Sequence, residues 1–219
     1  MQINLISDTF TQPDNAMKKA MLEAELGDDV FSTDPTVNRL QDMAAEMFGK
    51  EAALYCPSGT MTNQIAIKMH TQPLDELICE ELSHVYQYET GGYAFNASVA
   101  VNLIRGEHGK MRPEQLEAAI KPVYDWLPLS RLVVLENSTN KGGGNYYELE
   151  EIHAIKQICD KHRLKLHLDG SRLFNVLVET AEDPLEIGKL FDSISICLSK
   201  GLGAPVGSVL IGGKEDIVK

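Results

Sequence analysis

Residues 148–169, ELEEIHAIKQICDKHRLKLHLD, decide the fold. Leu149, Ile152, Ile155, Ile158 and Cys159 recur at intervals that put them on one face of a helix spanning Glu148 to His162. The helical period then stops, and Leu164 to Leu168 forms a short strand candidate that delivers Asp169 at its end. A helix feeding directly into a short strand is the repeating unit of a parallel sheet covered by crossover helices.

The same alternation extends outward in both directions. Further strand candidates are Ala52 to Cys56, Glu76 to Cys79, Val99 to Ile104, Leu132 to Leu135, Ile194 to Leu198 and Ser208 to Ile211. The expectation is an α/β fold with a mostly parallel, seven-stranded sheet sandwiched by helices. Near the start, Met17, Ala20, Met21 and Ala24 keep helical spacing up to Gly27; Asp34 then caps a helix with Pro35 at its first position, which buries Val37, Leu40, Ala44 and Met47 and ends at Gly49. No internal repeat or linker interrupts residues 1–219, which read as one large domain with an N-terminal helical segment. Lys214 to Lys219 begins a helix and stops without a cap, so the chain is expected to be a piece of a longer polypeptide.

Composition narrows the function. The 219 residues are 43% hydrophobic and 24% charged, an ordinary globular balance. The net charge of −12, with no basic run, repels phosphate backbones and anionic lipid, which argues against nucleic acid and membrane partners. Cys56, Cys79, Cys159 and Cys197 are scattered and read as reduced core thiols of a cytoplasmic protein. The start, Met1 to Asp8, has neither a basic segment nor a long apolar one.

In open α/β sheets ligands collect at the carboxyl ends of strands, and here those positions are polar. Ser58, Gly59 and Thr60 open a helix after the first strand, as a plain N-cap or as a cup of N–H groups and hydroxyls for a phosphate. Asp169 and Arg172 form either a rim salt bridge or a pair in which Asp169 faces a basic ring nitrogen while Arg172 takes a carboxylate or phenolate. Lys200 arrives directly off a buried strand between small residues, as a snorkelling charge or as a desolvated nucleophilic amine. It lies 31 residues beyond Asp169, about one βαβ unit, so the two belong on neighbouring strand ends. His84 can stack on a flat ring and move protons, with Glu89 behind it; the other five histidines read as helix-surface, loop or strand residues. No spacing satisfies a zinc site, and no G-x-S-x-G elbow is present. A Schiff-base lysine with an aspartate for a pyridine nitrogen is the pattern of pyridoxal phosphate chemistry.

Taken in order, Ser7-Asp8-Thr9, Gly27-Asp28-Asp29-Val30-Phe31, Asp34-Pro35-Thr36, Pro57-Ser58-Gly59-Thr60, His84 with Tyr88-Glu89, Leu135-Glu136-Asn137, His167-Leu168-Asp169-Gly170 and Leu198-Ser199-Lys200-Gly201 resemble the low-specificity L-threonine aldolases, β-eliminating lyases of the fold-type I pyridoxal phosphate class. The resemblance implies an aspartate-aminotransferase-like large domain, cytoplasmic and homotetrameric, whose C-terminal small domain is missing from this chain. It implies a lyase that cleaves a β-hydroxy-α-amino acid, L-threonine or L-allo-threonine, to glycine and an aldehyde. Lys200 would form the Schiff base, Asp169 would pair with the ring nitrogen, and Ser58, Gly59 and Thr60 would hold the phosphate. His84 would stack on the ring and act as base with Glu89, Arg172 would bind cofactor phenolate and substrate carboxylate, and Ser7 would touch that carboxylate. The chain departs from the family at Thr139, where a histidine is usual, at Ile6, where an arginine is common, and at Ser171, where an alanine is usual. Rival readings are another fold-type I lyase of the β-eliminase kind, a truncated cofactor-binding core without turnover, and a nicotinamide dehydrogenase. The last rests on Gly201 and Gly203 and fails because Pro205 and a strand follow.

Overall fold

The computed structural model describes residues 4–218; Met1 to Ile3 and Lys219 lie outside the described residues. In chain order the helices and strands are α1 (Asn15–Glu23), α2 (Pro35–Met47), β1 (Ala52–Cys56), α3 (Gly59–His70), β2 (Glu76–Glu80), α4 (His84–Gln87), α5 (Gly92–Ala97) and β3 (Ala100–Ile104). There follow α6 (Pro113–Ala119), β4 (Ser130–Glu136), α7 (Leu149–His162), β5 (Lys165–Gly170), α8 (Leu173–Thr180), α9 (Pro184–Leu190), β6 (Ser193–Cys197), β7 (Ser208–Gly212) and α10 (Lys214–Ile217).

The strands form one sheet in the order β1-β7-β6-β5-β4-β2-β3, parallel except for β7, which runs against both of its neighbours. All seven expected strands are present. Because only β7 is reversed, the carboxyl ends of the other six emerge on one side, and the segments holding Ser58, His84, Asn137, Arg172 and Lys200 converge there. The larger core cluster, around Phe48, Leu135, Tyr147, Ile155, Leu166 and Ile194, fills one face of the sheet; the smaller one, around Ile67, Leu77, Val85 and Leu132, lies apart from it. Burial of such side chains stabilises each by about 1.5–3 kcal/mol relative to exposure.

Helix α7 follows its sequence pattern, with Ile152, Ile155 and Cys159 buried and Glu148 and Glu151 forming a capping box. Asp34 caps α2 through the N–H groups of Thr36 and Val37. Two expectations need correction. Met47 is 38% exposed, because the buried stripe of α2 runs through Ala44 and Ala45 to Phe48 and leaves Met47 beyond its edge. Helix α1 ends at Glu23 and buries nothing. Gly27 marks a close approach instead of a helix stop, since a Cβ there would lie 2.2 Å from the Thr33 carbonyl oxygen. Leu22, Leu26, Val30 and Phe31 in this N-terminal segment are all more than three-quarters exposed. All four cysteines are free and buried, and no helix among the described residues is long and apolar enough to cross a membrane.

Candidate active site

Asp169 stands at the carboxyl end of β5, the central strand, and is buried. Its Oδ1 accepts from the Ser171 N–H (3.1 Å) and hydroxyl (2.6 Å), and its Oδ2 from the Asn63 amide (2.9 Å). Burial alone would raise its pKa; the Ser171 hydrogen bond, the charges of His84 and Lys200 and the Asn63 amide outweigh that and hold the carboxyl below its ordinary range. An ionised carboxylate is thus fixed in the floor of the site. Lys200 follows β6, the strand beside β5, as the 31-residue spacing requires. Its ammonium is felt electrostatically by both Asp169 and Asp8, yet it makes no hydrogen bond or ion pair with any described residue.

Ser58 is the N-cap of α3, its hydroxyl accepting from the Met61 N–H at 3.2 Å. The capping role leaves the first-turn N–H groups of Gly59 and Thr60 available to an anion, because they have no intrahelical acceptor. Gly59 is required by packing: a Cβ there would stand 2.6 Å from Cys197 Sγ.

His84 opens α4, and its Nδ1 bonds to Glu89 Oε1 at 2.9 Å. That bond, with the nearby carboxylates of Asp169 and Glu136, raises the His84 pKa against the opposing effect of burial. Glu89 is itself buried, and Asn63 also donates to its Oε1 at 2.9 Å. The Asn63 amide therefore bridges Glu89 and Asp169. His84, Glu89 and Asp169 bring one ligand atom each within 4.8 Å, close enough for a divalent cation, but the bridging amide already joins the two carboxylates. Asn63 escaped the sequence reading, and Glu136, quoted there within a motif, was given no role; its two oxygens accept from the N–H groups of His84 and Asn140. The usable signal was helical phase: Asn63 follows the Ser58 cap by little more than one turn and so faces the sheet.

Arg172 does not pair with Asp169. Its Nε and Nη2 grip the Asp8 carboxylate at 2.7 and 3.2 Å, while Nη1 is buried without a hydrogen-bond partner, 3.9 Å from Glu136 Oε1. Arg172 and Asp8 line a cleft of about 660 Å³ together with Ser7, Ile6, Tyr88 and Thr139. Ser7 is turned to local work, its hydroxyl 2.8 Å from that of Thr9. Ile6 is 81% exposed. Thr139, the family departure, directs its hydroxyl to the main-chain carbonyl of Asn145 at 3.0 Å. Of the remaining histidines, His70 at the end of α3 and His167 in β5 are buried, so His70 is not a helix-surface residue.

Residues 4–219 match the sequence model of the beta-eliminating lyases. Low-specificity L-threonine aldolase 1 of Arabidopsis thaliana is 41% identical over 221 residues, covering 99% of this chain and 62% of its own length. The low specificity L-threonine aldolase of Escherichia coli K12 is 40% identical over 216 residues, covering 98% of this chain and 64% of that protein. Among solved structures, the threonine aldolase of Leishmania major superposes with a TM-score of 0.81 at 24% identity, over 97% of this chain and 63% of that one, a likeness of fold. The chain thus spans less than two thirds of the length of each of these relatives.

Proposed function

Because the chain belongs to the beta-eliminating lyase family, we propose that it is the large domain of a pyridoxal phosphate-dependent aldehyde-lyase that splits L-threonine or L-allo-threonine into glycine and acetaldehyde. The observation that carries the reading is the placement of an ionised, buried Asp169 and an unpaired Lys200 on adjacent strand ends.

The donor set suits the cofactor. The N-terminus of α3 offers N–H groups and hydroxyls at Ser58, Gly59 and Thr60 for a phosphate. Asp169 offers a carboxylate for a ring nitrogen, His84 a flat ring, Lys200 an amine for the aldehyde carbon, and Arg172 a buried Nη1 with no hydrogen-bond partner. When bound, pyridoxal phosphate supplies an electron sink for the pair released at the substrate's α-carbon.

The protein's own part is positioning and proton transfer. Arg172 orients the substrate carboxylate with its planar fork, and the Asp8 carboxylate now in that fork shows the geometry it accepts. Glu89 holds His84 by Nδ1, so Nε2 is the atom left to take the β-hydroxyl proton, and the raised proton affinity of the ring favours that transfer. The exposed apolar residues of the N-terminal segment support a homo-oligomer, for which we take the tetramer, working in the cytoplasm.

The test is product analysis of the purified chain and of a longer polypeptide carrying it, each supplied with L-threonine and pyridoxal phosphate. Glycine and acetaldehyde in equal amounts support the assignment; 2-oxobutanoate and ammonia, the products of losing the β-hydroxyl and the amine from threonine, would make the protein a β-eliminase.

A further inference from the structure

Helix α3 sits on the sheet through a polar seam. Asn63 and His70, two turns apart, share its sheet-facing side; His167 and Asp169 are alternate residues on one face of β5, and Ser193 of β6 is the register partner of His167. All five are buried. The chemistry proposed for Lys200, Asp169, His84 and Arg172 has no use for His167, Ser193 or His70, and an apolar seam would have cost less desolvation.

Chemistry fixes the direction of every bond in this line. Asn63 Nδ2 is 2.9 Å from both Asp169 Oδ2 and Glu89 Oε1; the ionised Asp169 carboxylate only accepts, so the amide nitrogen must face it. Asn63 Oδ1 is then an acceptor, and the group opposite it is His167 Nε2 at 3.2 Å, which must carry a hydrogen. Full burial drives His167 down to a pKa of about 3, so its ring is neutral and its Nδ1 accepts from the Ser193 hydroxyl at 2.8 Å. The Ser193 oxygen in turn accepts from His70 Nε2 at 2.8 Å. Every proton in the line points toward the two carboxylates.

We propose that Asn63, His167, Ser193 and His70 form a one-way hydrogen-bond relay of positioning residues, which fixes the Asp169 carboxylate in place, keeps it ionised and ties it through Glu89 to His84. The inference rests on the reading of Asp169 as partner of a basic ring nitrogen. Other charged groups also act on Asp169: His84 from α4, Glu136 from β4, and Arg172 and Lys200 from the segments after β5 and β6. Among the described residues Asn63 alone hydrogen-bonds to both Asp169 and Glu89, and the relay holds its amide in the orientation the carboxylates require.

The decisive measurement is nitrogen NMR of the histidine-labelled full chain without cofactor. His167 is expected to remain a neutral Nε2–H tautomer from about pH 5 to about pH 9; an Nδ1–H tautomer, or an imidazolium within that range, would overturn the relay. Carboxyl-carbon NMR then follows Asp169 in variants. Asn63→Leu and His167→Phe should each raise its titration midpoint by about one unit, whereas His167→Gln, which can donate to Asn63 and accept from Ser193, should restore it. An unchanged midpoint in Asn63→Leu, or His167→Gln no better than His167→Phe, counts against the proposal; if the variants do not fold, the tautomer in the unaltered chain decides. Neither measurement needs pyridoxal phosphate. A chain that fails to bind the cofactor would sink the proposed function while the relay stood, and a wrong tautomer would sink the relay alone.

Discussion

Glu136 and Asp169 face each other in register at the carboxyl ends of the adjacent parallel strands β4 and β5, yet they hold protons with opposite strength. Asp169 has the Ser171 hydroxyl, the Asn63 amide and two nearby cations, and it stays ionised. Glu136 has two main-chain N–H groups and Arg172 at 3.9 Å; burial first, then the Asp169 charge, push its pKa up to about 7. Two neighbouring carboxylates kept in different protonation states give the site both a fixed anion and a group that titrates near neutrality.

A pH dependence of stability follows. The Glu136 pKa is raised on folding, so its contribution is fully present below its unfolded value near 4.5 and is lost as pH climbs through about 7. The loss is on the order of 3 kcal/mol. Asp169 works in reverse, its contribution fading as pH falls below about 4. Urea unfolding between about pH 5 and about pH 8 should show falling stability in the wild type and a flatter profile in Glu136→Gln; parallel profiles would refute the assignment.

Lys200 carries the second prediction. An amine without a hydrogen-bond or ion-pair partner among the described residues, within the electrostatic reach of the Asp169 and Asp8 carboxylates, is poised for covalent use. Protein purified with pyridoxal phosphate should be yellow, and borohydride reduction followed by peptide mapping should place the pyridoxyl group on the peptide containing Lys200. Its appearance on another lysine would show that the strand-end reasoning chose the wrong residue. Lys200→Ala should lose turnover altogether.

The strands and the site residues at their ends were legible because both follow from local pattern. Short apolar runs mark buried strands, and in a parallel sheet the next polar residues must emerge on one side; Ser58, His84, Asp169 and Lys200 were found that way. Asn63, Glu136 and the Asp8 partner of Arg172 were not. Asn63 lies within a helix whose pattern reads as ordinary core, and Glu136 looks like the last residue of a strand until the register sets it against Asp169. Asp8 reaches Arg172 across 164 residues, a distance that no local period reports. Met47 was assigned to the core because helical spacing places it near the buried stripe, whose edge only packing defines.

The third prediction tests the phosphate cup. A methyl group at Gly59 would meet Cys197 Sγ at 2.6 Å, and Cys197 is confined by the Ser171 and Ser208 hydroxyls at 3.5 and 3.3 Å. Gly59→Ala should therefore cost roughly 1–3 kcal/mol of stability and displace the first turn of α3. Retention of pyridoxal phosphate on dialysis should weaken in parallel, and adding Cys197→Ala should recover stability by removing the obstructing sulfur. A single variant as stable as wild type, with cofactor retained, would show that the turn has room to spare.

The last prediction concerns Arg172 and its present partner. A planar guanidinium makes two parallel bonds to a carboxylate, and a lysine ammonium cannot reproduce that fork. Misplacement of a bound substrate by about 1 Å costs roughly a hundredfold in rate, so Arg172→Lys should lower kcat/KM for threonine by about that factor while leaving the fold intact. Asp8 refines the test, because it occupies two of the donors a substrate carboxylate would use, and the salt bridge with Arg172 holds its carboxyl below the ordinary range although burial opposes this. If substrate must displace Asp8, the neutral side chain of Asp8→Asn will compete less, and KM should fall with kcat little changed. If Asp8 instead holds the guanidinium in position while the substrate engages Nη1, which has no hydrogen-bond partner, the same variant will raise KM and lower kcat together. The displacement reading is the one expected here, since Arg172 is the one cation among the described residues lining the cleft and its fork already fits a carboxylate. Initial-rate kinetics of Asp8→Asn beside Arg172→Lys separate the two outcomes, and a raised KM in Asp8→Asn would refute displacement.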